Sequence, residues 1–136
     1  MNRRTLREQI FKLLFRIEFI AKEEVEEQCH LFLEHEDVEM SEKDETHIID
    51  KFKAVYEKVE EIDQMINEKA KGWSTDRMGK VDLTIIRLAV YEMKYDEAVP
   101  EGVAINEAVE LAKKFGQDES AGFVNGVLAK FVEAAV

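Results

Sequence analysis

Apolar residues in this chain recur at helical spacing almost throughout its 136 residues. Projected at 100° per residue over 3–20, Leu6, Ile10, Leu13, Leu14, Ile17 and Ile20 fall within one arc, the expected core face of a first helix. A short second helix is expected to turn Val25, Cys29, Phe32 and Leu33 inward, ahead of a polar loop from His35 to Met40. Ser41, with Asp44 three residues on, reads as a capping box. It should open one long helix of about seven turns through Ile48, Phe52, Val55, Tyr56, Val59, Ile62 and Ile66. Gly72 and the Trp73-Ser74-Thr75-Asp76 stretch interrupt it. Between 80 and 95, Val81, Leu83, Ile85, Ile86, Leu88, Ala89, Val90, Tyr91 and Met93 cover most of the helix circumference, the pattern of a central, buried helix. Pro100 suits the first turn of the next helix, whose stripe is Ala104, Ala108, Leu111, Ala112 and Phe115, with Gly116 as its stop. Asp118 or Ser120 could cap a last helix carrying Val124, Val127, Leu128, Phe131 and Ala135. Asn125-Gly126 inside it is a turn dipeptide; keeping the helix implies that Gly126 permits close packing. With no repeat, linker or shift in composition, the expectation is one compact all-α domain of about seven helices spanning 1–136.

Six Gly and one Pro are too few turn formers for a many-stranded β fold. No apolar run approaches the ~18 residues of a membrane span, and the N-terminus lacks the order of a signal peptide, so no membrane role and a cytoplasmic setting are expected. One cysteine, Cys29, excludes an internal disulfide and a Cys-rich zinc site.

Charge changes the picture more. Nineteen basic against thirty acidic residues leave a net −11, which taken whole argues against a general nucleic-acid binder. Residues 1–16, however, hold Arg3, Arg4, Arg7, Lys12 and Arg16 against Glu8 alone, a balance of +4. Residues 17–136 hold 14 basic and 29 acidic residues, a balance of −15. Such a polarised field directs an anion to one patch and repels it elsewhere.

Signatures of catalysis are missing: there is no Gly-rich phosphate loop, metalloprotease His pair, nucleophile elbow or dinucleotide fingerprint. His30 and His35, five apart, lie on different helix faces. Cys29 belongs to an apolar stripe in acidic surroundings, and Glu23, Glu24, Glu26 and Glu27 read as a solvated face. No enzyme, cofactor or metal is expected.

Away from its core arc, the first helix carries Phe11, Phe15 and Phe19 at i, i+4 and i+8, interleaved with Arg4, Arg7 and Lys12. Cations for phosphates beside rings for bases are the chemistry of single-stranded nucleic-acid binding. The pattern alone leaves open whether these rings are core, and Phe11 and Phe19 could belong there even if Phe15 does not.

The run Val103-Ala104-Ile105-Asn106-Glu107-Ala108-Val109-Glu110-Leu111-Ala112-Lys113-Lys114-Phe115-Gly116, followed by Phe123-Val124-Asn125-Gly126-Val127-Leu128, resembles the NusB family of bacterial transcription antitermination factors. Gly79-Lys80-Val81-Asp82, Arg87-Leu88-Ala89-Val90-Tyr91-Glu92 and Val99-Pro100 extend the resemblance upstream, as do Arg3-Arg4, Arg7-Glu8 and Leu14-Phe15 at the start. Residues 20–70 are similar only in helical pattern. The resemblance implies an all-α fold of two packed helical subbundles. It also implies binding of boxA RNA together with NusE, a small-subunit ribosomal protein, within an RNA polymerase antitermination complex, notably on ribosomal RNA operons. By position it places Arg3, Arg4, Arg7, Lys12 and Phe15, then Asp118, Glu119 and Phe123, on the RNA path, and Asp82 and Arg77 on the NusE surface. Thr5 stands where the family often has Arg, Phe15 where many members have Tyr, and Gly122 where Lys is frequent. Each missing cation should lower affinity and salt dependence.

A competing reading is an acidic helical adaptor that docks a basic ribosomal protein without touching RNA. NusB-like domains also occur attached to RNA methyltransferases, but 136 residues leave no room for that catalytic domain. Whether the chain forms a homodimer is open at this stage.

Overall fold

Where each helix starts and stops follows from a few polar groups and one glycine. In the computed structural model, which describes residues 1–35 and 39–132, these residues form seven α-helices, two single 3-10 turns and no strand. Contacts divide the chain into two units, 1–56 and 57 onward.

In the first unit, α1 (Arg3–Ile17) opens at Asn2, whose Oδ1 accepts a hydrogen bond from Thr5 N at 2.8 Å. A 3-10 turn (Lys22–Glu24) leads into α2 (Val25–His35), which packs on α1. Ser41 caps α3 (Glu42–Glu57) as expected, its Oγ accepting from Asp44 N at 3.1 Å. The Asp44 carboxylate also takes the Met1 ammonium at 3.2 Å, tying the start of α3 to the start of the chain. Buried apolar side chains in this unit are Ile10, Phe11, Leu13, Leu14, Cys29, Phe32, Ile48, Phe52 and Val55. Leu6 and Ile20 are half-buried; the side chains of Ile17 and His35, and much of the expected 35–40 loop, lie outside the described residues.

The single seven-turn helix expected from Ile48 to Ile66 is two helices. Lys58 leaves the helical conformation at φ −101°, ψ 2°, and α4 (Val59–Lys69) begins after it. Apolar spacing continues across the break, so periodicity does not reveal it. Charge does explain it: α3 ends on Glu57 with no cation in its last turn, while Glu60 and Glu61 occupy the first turn of α4. The helix dipole favours carboxylates at a start and disfavours them at an end.

In the second unit, α5 (Lys80–Tyr95) is the central helix that its all-round apolar pattern predicts, packing on α4, α6 (Glu101–Phe115) and α7 (Ser120–Ala129). Leu83, Ile85, Ile86, Leu88, Ala89 and Val90 are buried, and each large one contributes about 1.5–3 kcal/mol. The buried Thr84 hydroxyl donates to Lys80 O at 2.7 Å, so it costs little. Arg87 on α5 clasps Asp63 on α4 through Nε and Nη2, at 2.8 and 2.7 Å. Pro100 sits one place before α6, as its N-cap, with its carbonyl accepting from Val103 and Ala104 N.

Three expectations for the last helix are corrected. Neither Asp118 nor Ser120 is the N-cap. Glu119 is, without a side-chain bond, because Ser120 is drawn inward and its Oγ accepts from Gln117 N at 2.9 Å. Gly126 permits no close packing: it is exposed, and a Cβ there would meet nothing within 4 Å. Phe131 is buried but lies past the helix, where bonds from Lys130 and Phe131 N to Val127 and Leu128 O tighten the end. Lys94 Nζ then donates to the Phe131 carbonyl at 3.0 Å, satisfying it without another turn. Ala135 lies outside the described residues.

The close approach belongs to Gly116 instead. A Cβ there would fall 2.5 Å from both Cβ and Oγ of Ser120 and 2.8 Å from Ala112 O. Gly116→Ala is therefore expected to cost about 1–3 kcal/mol in urea unfolding, as overpacked sites do. Unchanged stability would show that the turn opening α7 yields freely.

Candidate nucleic-acid interface

The start of α1 is where the helix dipole is least favourable to cations. Its first turn holds no acid, and Arg3 and Arg4 are exposed beside the positive end of the helix dipole, where cations are unfavourable. An external anion would gain from both the side chains and the helix end. Arg7 and Lys12, farther along, are half-buried. Arg16 is exposed at the other end of the helix, its guanidinium carbon 5.3 Å from the Phe32 ring centre.

The phenylalanine stripe climbs from core to surface. Phe11 is buried, Phe15 is half-buried and Phe19 is 64% exposed. The centroids of Phe11 and Phe15 are 6.3 Å apart at 27°, and those of Phe15 and Phe19 5.2 Å apart at 72°. The question the pattern left open is thus answered ring by ring. Phe11 is core, whereas a core place for Phe19 is ruled out because α1 ends at Ile17 and the chain turns outward before a further helical turn can form. Phe15 presents a partly open ring beside the cations, the setting that base stacking requires.

In the second unit, Asp118 and Glu119 are exposed in the turn before α7, and Phe123 is half-buried on its first turn. The Phe123 ring meets Trp73 edge-on, with centroids 5.3 Å apart at 70°. Trp73 was no candidate from sequence, where it marks only a break between helices. Its place at the surface, 53% exposed and against a candidate residue, could have been suspected from a lone tryptophan in a polar loop. Arg77 is exposed at the end of a 3-10 turn (Thr75–Arg77), and Asp82 is half-buried in the first turn of α5, five residues on. Cys29 is 3% exposed, and burial, reinforced by Glu26, pushes its thiol up from the ordinary range, away from the reactive thiolate.

Seven helices without a strand among the described residues, with arginines exposed at the start of the first, define an all-helical protein with a cationic end. Comparison with known proteins narrows this. The NusB family model matches residues 4–133. The transcription antitermination protein NusB of Agathobacter rectalis is 53% identical over 96% of this chain and 99% of its own length. That of Lachnoclostridium phytofermentans is 47% identical over 98% and 100%. Among solved structures, NusB from T. maritima superposes with a TM-score of 0.82 at 32% identity, covering 96% of this chain and 89% of that one. A structure of the antitermination factors NusB and NusE in complex with dsRNA matches with a TM-score of 0.80 at 26% identity, covering 93% and 92%. The chain belongs to the NusB family.

Proposed function

We propose that this protein is a transcription antitermination factor that binds boxA RNA together with NusE, the small-subunit ribosomal protein. It then joins the RNA polymerase antitermination complex, notably on ribosomal RNA operons, in the cytoplasm. The observation that carries this reading is α1 itself, with Arg3 and Arg4 exposed at its start and Arg7, Lys12 and the half-open Phe15 ring farther along it. Support comes also from the likeness to a NusB solved with NusE and RNA. In this assignment the cations hold phosphates and Phe15 stacks on a base. Phe123 offers a second ring, and Asp118 and Glu119 accept hydrogen bonds from exocyclic base amines. Asp82 and Arg77 face NusE.

A titration of boxA RNA across salt concentrations, with and without NusE and against a scrambled RNA, tests it. Affinity should fall steeply with salt, rise with NusE and exceed that for the scrambled strand. The adaptor reading rests on the −15 balance outside the first sixteen residues. It expects NusE to hold boxA equally well whether or not this chain is present. Phe15→Ala should weaken the ternary complex by about 1–3 kcal/mol, with Phe15→Tyr close to wild type because the ring is kept. Equal binding by Phe15→Ala would remove this ring from the RNA path.

A further inference from the structure

The loop between α4 and α5 is built to hold an aromatic ring outside the core. Gly72 takes φ +89°, a conformation open to glycine and strained for a side chain, and reverses the chain after Ala70. Trp73 N donates back to Ala70 O at 2.9 Å, and Asn67 Oδ1 accepts from Thr75 N at 2.8 Å. Arg77 N and Met78 N close the 3-10 turn onto Ser74 and Thr75 O. Ala70 before the ring and Thr75 and Met78 after it are buried, so the loop is anchored on both sides of Trp73. Yet Trp73, the residue with most apolar area to gain from burial, is left 53% exposed.

The charge around it is also out of character. Residues 69–80 hold Lys69, Lys71, Arg77 and Lys80 against Asp76 alone, a balance of +3. The rest of the chain beyond residue 16 carries ten bases against 28 acids. Lys69, Lys71 and Arg77 are exposed. The indole therefore belongs to a cationic stretch of an otherwise acidic sequence.

We propose that Trp73, with the Phe123 ring set edge-on against it and Lys69 and Lys71 close before it in the sequence, forms a stacking site for one unpaired RNA base. This deepens the RNA-binding reading and rests on it. The fixed loop lowers the entropy lost on contact, the exposed indole surface takes the base, and the exposed Lys69 and Lys71 meet the adjoining phosphates. Tryptophan with arginine also suits a protein contact, but Lys69 and Lys71, next to the ring in the sequence, would repel a basic ribosomal protein. The charge favours RNA.

Trp73 is the only tryptophan in the sequence, so its fluorescence reports on the site directly. Single-stranded boxA RNA carrying a dye is titrated into the full chain with NusE, and anisotropy and tryptophan emission are read together, with Trp73→Phe as the emission background. The expected result is quenching that saturates with the anisotropy, and a Kd raised about fivefold to 150-fold in Trp73→Ala, with Trp73→Phe retaining most affinity. Circular dichroism of both variants checks that the fold is kept. Saturating anisotropy without quenching, or wild-type affinity in Trp73→Ala, overturns the site and leaves the RNA reading standing. Emission changed by NusE alone and not by RNA overturns it in favour of a protein contact. No anisotropy change with the wild-type chain and NusE fails the RNA reading itself, and this site with it.

Discussion

Replacing Arg3, Arg4 and Arg7 together with alanine is expected to weaken boxA RNA binding about 100-fold at 0.1 M salt and to lower the salt slope by about 2. The figure follows from counterion release. Each phosphate contact on a single strand contributes about 0.7 to the slope of log affinity against log salt, or about fivefold at this salt. The three positions share the first seven residues of the chain, and Arg3 and Arg4 lie open at the positive end of α1. The effect should be nearly independent of RNA sequence, since phosphates carry no sequence information. Titration of the triple variant at several salt concentrations reads both numbers. A weakened complex with an unchanged slope would mean that the arginines act through the fold or NusE and do not touch phosphate.

The second large effect concerns stability. Arg87→Met should destabilise the protein by about 2–3 kcal/mol at neutral pH. That is less than the full loss of a buried partner, because the two side chains keep 15% and 23% of their surface exposed. Burial pushes the Asp63 carboxyl up, and Asp76 adds to it, while the two short bonds from Arg87 favour its ionised form. Without Arg87, burial and Asp76 outweigh the opposing pull of Lys80, so the folded pKa stands above the unfolded one. A carboxyl raised in this way contributes fully below its ordinary pKa of about 4 and loses that contribution as pH rises through the folded value. The deficit of Arg87→Met should thus be smallest near pH 4 and widen toward pH 7 in urea unfolding. Adding Asp63→Asn should recover part of it. A deficit that does not change with pH would assign the loss to packing.

Helix type and the central place of α5 were legible because an apolar stripe is a property of spacing, and spacing survives in the sequence. The break at Lys58 was not, since Val55 and Ile62 stay in register across it and only the charges of Glu57, Glu60 and Glu61 mark it. On α1 the sequence supplied candidates for a binding face but not their depth. Phe11 and Phe19 belong to one stripe at i and i+8, and their depths differ so widely because the helix stops between them. Trp73 escaped notice for the same reason. Its exposure depends on the positive φ of Gly72 and the reach of Asn67, neither of which has a periodic signature.

Two glycines ten residues apart flank most of the last helix, and they set opposite limits on how the chain can drift. Gly126 faces open space, so alanine there would strengthen the helix, and nothing in this molecule's own packing keeps that position as it is. Gly116 borders the seam with Ser120, where any added carbon collides. Mutational wandering is therefore free at one end of α7 and closed at the other. The closed end fixes the turn that carries Asp118 and Glu119, so sequence change in this region can roughen the helix surface before it can move the loop.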